Sequence, residues 1–262
     1  MQTTGVHRDV KDQFYTLPSV AKECVDILKT HVSGGTWIEP SAGNGSFLPF
    51  VPEAIAYDID PKCPGITKSD FLTVELPDEC IVFGNPPFGR QASSARAFIR
   101  HAGSKASVIG FVLPRSFMKP SMQSAFPVCF HLVHQHELPT NSFLVNEKAY
   151  DVRCVFQIWK KESHPRDSPP VIQQVGFTFV KKEEPHDFAF RRVGVNAGKC
   201  SLPGDHSYQS HYFVKLDNPL LAASIIEKSF SHVFPSNTTG PRSLSKPEAT
   251  EFLRACIADA AT

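Results

Sequence analysis

The chain has 262 residues, 41% of them hydrophobic and 20% charged, with a formal net charge of +1. That length buries a substantial core and predicts one or two domains, while the near-neutral charge excludes a global pull toward nucleic acid and leaves only local patches for it. No run of about 18 apolar residues and no apolar signal-peptide core occurs, so no membrane partner is expected, and seven scattered cysteines without a C-x-x-C spacing predict thiols kept in a reducing compartment, cytoplasm or nucleus.

Residues 1–16 are polar and read as extended. Residues 19–30 place Val20, Cys24, Ile27 and Leu28 on one face and predict a helix. Thr36 to Phe47 reads as a short apolar strand entering a loop in which Gly43 and Gly45 let the backbone approach a ligand closely. Glu39, at the strand's carboxyl end, suits a cationic or hydroxyl-bearing ligand. The loop is not the dinucleotide G-x-G-x-x-G, because Leu48 stands where the third glycine belongs. Residues 54–60 form a second apolar run ending in Asp58 and Asp60, and an acid there is placed to grip a ribose diol. Asp70 and Phe71 follow, an acid beside a ring, suited to the amino group and face of adenine.

The apolar run Cys80 to Phe83 then leads into Gly84-Asn85-Pro86-Pro87-Phe88-Gly89. Two prolines fix φ twice and hold the residue before them extended. Asn85 therefore presents its amide in a fixed direction with an aromatic ring close behind. Alone, the tetrapeptide reads equally as an ordinary proline turn with a core Phe. Residues 94–102 predict a helix, 107–114 a buried central strand, 115–126 a loop and short helix, and 130–138 and 152–159 two further strands. Alternating strands and helices predict a mainly parallel sheet with helices on both faces. His131, His134 and His136 invite a metal reading. On a regular strand His131 points away from the other two, and no metal is expected.

A charged, proline-rich stretch at 160–170 separates a domain at 1–162 from a smaller region at 170–262. The second holds predicted strands at 171–180, 188–193 and 212–216 and helices at 218–229 and 246–257, with Ser245 as the cap of the last. Arg191, Arg192 and Lys199 surround two glycines and suit phosphate contacts, with Tyr208, His211 and Tyr212 as stacking surfaces. The same segment reads equally as a solvated loop.

The order of these motifs resembles that of S-adenosylmethionine-dependent methyltransferases of the amino-methylating class, which act most often on adenine N6. The resemblance covers roughly residues 10–160 and implies an α/β, Rossmann-like methyltransferase fold. That fold has a mainly parallel sheet with an antiparallel edge hairpin, followed here by a small α+β carboxyl-terminal region. It implies S-adenosyl-L-methionine as cofactor, held by Glu39, Pro40, Ser41, Ala42, Gly43, Gly45 and Phe47, with Asp58 and Ile59 at the ribose and Asp70 and Phe71 at the adenosyl group. Phe14, Tyr15 and Thr16, in a stretch beginning at Asp12, match the motif over the methionine end. Asn85, Pro86, Pro87 and Phe88 match the catalytic tetrapeptide, with Asn85 also touching cofactor. Phe88, Arg90, Arg191, Arg192 and Lys199 are the expected substrate contacts. The implied reaction is methylation of adenine N6 in DNA or RNA. The alternatives are a protein glutamine amide as target, or a catalytically silent cofactor-binding partner subunit. Phe88 replaces the Tyr of many DNA-modifying members, and Asn44 and Ser46 stand in the cofactor loop in place of a further glycine.

Overall fold

The computed structural model describes residues 14–145, 148–168, 170–238 and 241–260. Asp12 and Gln13 of the amino-terminal motif lie outside the described residues. The chain divides into two compact units, residues 1–167 and 168–262.

The elements of the first unit are β1 (Tyr15–Thr16), α1 (Pro18–Lys29), β2 (Trp37–Glu39), β3 (Ile55–Asp58), β4 (Thr67–Lys68), β5 (Ile81–Gly84), α2 (Ser93–Ala102), β6 (Val108–Pro114), α3 (Pro120–Gln123), β7 (Phe130–Glu137), β8 (Phe143–Val145), β9 (Lys148–Tyr150) and β10 (Cys154–Lys161). Seven of these strands form one sheet in the order β4-β3-β2-β5-β6-β10-β7. The five from β4 to β6 are parallel, and β10 runs antiparallel to both β6 and β7. The expected edge hairpin is therefore present, with its second strand wedged between the first and the parallel sheet.

Residue parity explains the two cores. In β5 and β6, Val82, Ile109, Phe111 and Leu113 join a cluster with Ala95, Ile99 and Ala102 of α2. Ile81, Phe83, Val108 and Val112 join another with Val20, Cys24, Val25 and Leu28 of α1. Alternate side chains point to opposite faces, so a run apolar at both parities must be covered twice. Gly110 admits α1, because a Cβ there would lie 2.8 Å from Leu28 Cδ2. On the α2 face, buried Gln157 donates to Phe117 O at 3.0 Å and Gln135 Oε1 at 2.7 Å, and accepts from Trp159 Nε1 at 3.0 Å.

The structure departs from the expected strand–helix alternation. The β2–β3 and β4–β5 connections each hold one 3-10 turn, Leu48–Phe50 and Phe71–Thr73. Pro49 and Pro52 punctuate the first of these connections and Pro77 the second, with Pro61 and Pro64 in the β3–β4 connection, and prolines remove the donors a longer helix needs. A hairpin of β8 and β9, absent from the sequence reading, pairs with β1 in a separate three-stranded sheet, Tyr15 opposite Leu144 and Thr16 opposite Phe143. The expectation that His131 faces away from His134 and His136 fails. The β7–β10 register shifts at Ile158/Trp159, pairing His134 with Ile158 and His131 with Lys160. One extra residue restores His131 to the parity of the other two. His134 and His136 bond each other at 2.9 Å, with Glu23 Oε1 3.9 Å from His136 Nε2, while His131 bonds His164 O at 3.0 Å.

In the second unit, β11 (Phe177–Val180), β12 (Phe188–Arg191), β13 (Cys200–Ser201) and β14 (His211–Leu216) form an antiparallel sheet in the order β11-β14-β12-β13, with helices α4 (Ala222–Ser231) and α5 (Lys246–Asp259). Phe177, Phe188, Phe190, Ile225, Phe252 and Leu253 share its core. The strand expected from 171 starts only at Phe177. Val171 and Val175 are exposed, and Gly176 turns the chain at φ 81°. Ser245 caps α5 as expected, in a reciprocal capping box with Glu248.

Candidate active site

The carboxyl ends of β2, β3 and β5 bring Glu39, Asp58 and Gly84 to one edge of the parallel sheet. The chain leaves β2 toward β3 and β4 and returns on its other side as β5, which makes this the point where strand order reverses. Ligands of open α/β sheets bind at such points. A cavity of about 430 Å³ lies there, within the range of small-molecule sites. It is lined by Phe14, Tyr15, Thr16, Glu39, Pro40, Ser41, Ala42, Gly43, Phe47, Asp58, Ile59, Asp70, Phe71, Asn85 and Pro87. All of these were expected at a site. Gly45, Pro86, Phe88 and Arg90 do not line it. Asn44, Ser46, Asp60, Leu72, Ser93, Ser94, Ala97 and Phe98 complete the wall without having been assigned to it. Ser93 and Ser94 open α2 directly after the tetrapeptide, and that proximity was the available signal.

Local geometry explains the loop. Asp58 accepts from Gly43 N at 2.8 Å through Oδ2 and from Asp60 N at 2.7 Å through Oδ1. The acid thus fastens the glycine loop and retains lone pairs on the cavity side. Gly43 has φ 50°, and a Cβ there would sit 2.9 Å from Tyr15 Cε1. Gly43→Ala is expected to cost about 1–2 kcal/mol in backbone strain alone and to push the Tyr15 ring off its seat. Urea denaturation checks this, and a loss below about 0.5 kcal/mol would contradict the close approach. Gly45, at φ 78°, serves the turn itself: a Cβ there would meet Cys63 Sγ at 2.7 Å. Asp70 caps the next turn by accepting from Leu72 N at 3.0 Å, and buried Phe71 packs on Phe98 at 5.1 Å between centroids.

Three strands converge on Asn85. Its Nδ2 donates to Phe14 O at 2.9 Å, and its backbone carbonyl accepts from Ser41 Oγ at 3.1 Å. Only a nitrogen can donate to Phe14 O, so the amide orientation is fixed. Among the described residues Asn85 Oδ1 is then a buried acceptor without a partner, as are Thr16 Oγ1 and Glu39 Oε2 on the same wall. Phe88 packs beside the cavity, its ring stacked with Phe14 at 6.5 Å and 21°, and Phe14 also meets Tyr150 at 5.5 Å. Beyond the tetrapeptide, Gln91 and Ala92 both hold left-handed conformations, φ 53° and 58°. Such strain in non-glycine residues collects at functional sites.

Burial, and secondarily the nearby Asp58, pushes the Glu39 carboxyl up to about 8. The folded state then keeps a proton that the unfolded chain releases near 4.5, so this group's contribution falls as pH rises from about 4.5 to 8. Glu39→Gln is expected to remove that slope and gain about 3 kcal/mol relative to wild type at pH 7. Denaturation at pH 5 and pH 7 checks it, and parallel pH profiles would refute it.

No family model matches the chain, and no curated protein matches it. Solved structures do. A proposed RNA methyltransferase from Pyrococcus horikoshii shares 16% identity over 54% of this chain and 83% of its own, with a TM-score of 0.43. A proposed class I S-adenosylmethionine-dependent methyltransferase from Listeria monocytogenes shares 15% over 63% and 65%, with a TM-score of 0.46. Magnesium protoporphyrin IX methyltransferase from Synechocystis, with bound S-adenosylmethionine, shares 12% over 55% and 79%, with a TM-score of 0.41. The first unit has a Rossmann-like α/β fold. Its strand order and reversal point carry that statement. Similarity at these scores says nothing of a substrate.

In the second unit, Lys199 Nζ donates to Ser229 O at 3.2 Å and Phe230 O at 2.6 Å, at the carboxyl end of α4, where a cation answers the helix dipole. Arg191 Nε donates to Val193 O at 3.2 Å within its own loop, and Arg192 lies over the Tyr212 ring at 5.1 Å. Among the described residues no helix is long and apolar enough to cross a membrane, and no group of three His, Cys, Asp or Glu side chains forms a metal cage.

Proposed function

We propose that the protein is an S-adenosylmethionine-dependent methyltransferase acting on the exocyclic N6 amino group of adenine in nucleic acid. The observation that carries the reading is Asn85 Oδ1. It is a buried acceptor with its direction fixed and, among the described residues, no partner, and leaving such an atom unpaired costs about 1–3 kcal/mol. An amino hydrogen at that point satisfies it.

The residues present suit the cofactor. Glu39, buried and short of one partner, would pair with an ammonium group, and Thr16 Oγ1 would serve the same end. Gly43 leaves the space a Cβ would fill. Asp58 or Asp60 would hold ribose hydroxyls, and Asp70, Leu72 and Phe98 would surround the adenine. The cofactor supplies an electrophilic sulfonium methyl group.

The rest belongs to the chain. An adenine amino group is a weak nucleophile because its lone pair is delocalised into the ring. Asn85 Oδ1 accepts one N–H, and the Pro86 carbonyl is the second acceptor in this reading. That pairing localises the lone pair toward the methyl. With the methyl group supplied by the bound cofactor, the amino nitrogen would lose its proton to water after transfer, so no strong base is needed first. The aromatic group of Phe14, Phe88 and Tyr150 receives the base ring. Positioning and fixed dipoles supply the acceleration.

Labelled S-adenosylmethionine, unmodified DNA and in-vitro-transcribed RNA, followed by nucleoside mass spectrometry, test the proposal. N6-methyladenine in either pool is the expected product. Cofactor binding with no modified base in either pool, and label appearing in glutamine-containing protein, would replace it.

A further inference from the structure

The second unit holds its own cavity, of about 400 Å³, lined among others by Phe179, Lys181, Tyr208, His211, Tyr212 and Lys246. We infer that this cavity is a nucleotide-binding subsite, which takes a base and phosphate of single-stranded substrate away from the methylated adenine. The inference rests on the nucleic-acid reading above and names where that substrate is gripped.

Rings and cations alternate here. Lys246 Nζ lies 5.1 Å from the Phe179 ring centre and 6.0 Å from that of Tyr212, and Arg192 Cζ lies 5.1 Å from Tyr212. Phe179 and Tyr212 meet at 5.4 Å. Among the described residues no carboxylate pairs with Lys181, Lys246 or Arg192, and Arg192 Nε is a buried donor without a partner. Lys182, by contrast, is neutralised by Asp205 at 2.8 Å. Glu183 on the cavity wall is the one opposing charge there. Lys181 and Lys246 thus line the cavity against the Glu183 carboxylate, and Arg192 lies over the Tyr212 ring without lining it, although the chain as a whole is nearly neutral.

Tyr208 supplies the second half of the argument. Its side chain stands at the rim, 69% exposed, although an aromatic ring gains by burial. Tyr208, Phe179 and Tyr212 share the cavity wall with the ammonium groups of Lys181 and Lys246, which offers stacking for a base and charge for its phosphate. Proteins that bind single strands combine these two features. The amino terminus of α5 adds little, since Ser245 and Glu248 already occupy its donors in their capping box. The cations and rings carry the site.

The test is anisotropy of labelled single-stranded RNA and DNA oligonucleotides with the full chain, Tyr208→Ala and Lys246→Ala. Both side chains are exposed, so both variants should melt as wild type. Each is expected to weaken oligonucleotide binding about ten-fold. Lys246→Ala should also reduce the salt slope by about 0.7, the value for one phosphate contact on a single strand, while Tyr208→Ala leaves it unchanged. S-adenosylmethionine affinity and transfer to free adenosine should not change. Wild-type affinity in both variants would overturn the inference. So would displacement of the oligonucleotide by polyglutamate as readily as by unlabelled oligonucleotide, which would point to an acidic protein partner. Binding is read without catalysis, so the two proposals fail separately. An oligonucleotide bound through these residues but never methylated refutes the reaction and keeps the subsite. Methylation with unchanged affinity in the variants does the reverse.

Discussion

Asn85→Ala is expected to lower methyl transfer by at least about 10²–10³-fold, the usual loss when one fixed polar group aimed at the reacting atoms is removed. Cofactor affinity should change only a few-fold, because Asn85 is one residue in a wall built from four strands and the loops after them. The effect has two parts. The substitution deletes the free acceptor Oδ1, and it releases Phe14 O from its 2.9 Å bond with Nδ2. Asn85→Asp separates them: it keeps an acceptor but sets a second oxygen against the Phe14 carbonyl. A rate in Asn85→Asp as low as in Asn85→Ala would show that anchoring Phe14 matters as much as the acceptor. Single-turnover rates with calorimetric cofactor titration check both, and turnover in Asn85→Ala within ten-fold of wild type would remove Asn85 from the mechanism.

The largest expected loss of stability lies elsewhere. Arg166 donates to Pro127 O at 2.6 Å, Phe130 O at 2.9 Å, Phe126 O at 2.9 Å and Gln123 O at 3.3 Å. Its guanidinium also sits 5.3 Å above Trp159, which is stacked on Phe126 at 4.1 Å. Hydrogen bonds from a charged donor contribute more than neutral ones, and here one side chain closes the turn between α3 and β7. Arg166→Ala should cost about 3 kcal/mol and lower Tm by about 6–12 °C. Arg166→Lys should recover less than half of that, since an ammonium cannot fork to four carbonyls. Thermal melts of both variants check it, and a loss below about 1 kcal/mol in Arg166→Ala would show the carbonyls are satisfied by water.

Arg166 also shows where sequence reading stops. The stretch from 160 to 170 is charged and proline-rich and reads as a boundary, yet the first unit runs to Asp167 because a charged residue bonds backbone. Composition identifies the residue and not the carbonyls waiting for it. The core was more legible. The apolar run of β6 is buried at every position, and the parity of β5 and β6 sorts the two faces without further information. The cavity wall was legible where motif residues sit at strand ends, as with Glu39 and Asp58. It was illegible where tertiary contact decides, as with Ala97 and Phe98, whose helical spacing reads as plain core. The partner of Phe88 was illegible too: it stacks on Phe14, a contact between residues 74 positions apart. The β8–β9 hairpin escaped notice because its strands are three residues long, shorter than a periodicity can reveal.

The wedge position of β10 bears on synthesis. β6 and β7 leave the ribosome well before their shared neighbour, and neither pairs with the other in the finished sheet. Until Cys154–Lys161 emerges, the fully apolar β6 has an open edge, and the excursion through β8 and β9 must fold back before that edge closes. Nascent chains stalled between residues 114 and 154 therefore carry an unpaired hydrophobic strand of the kind that chaperones bind and aggregates recruit. The first unit completes its sheet only as the last of its own residues appears.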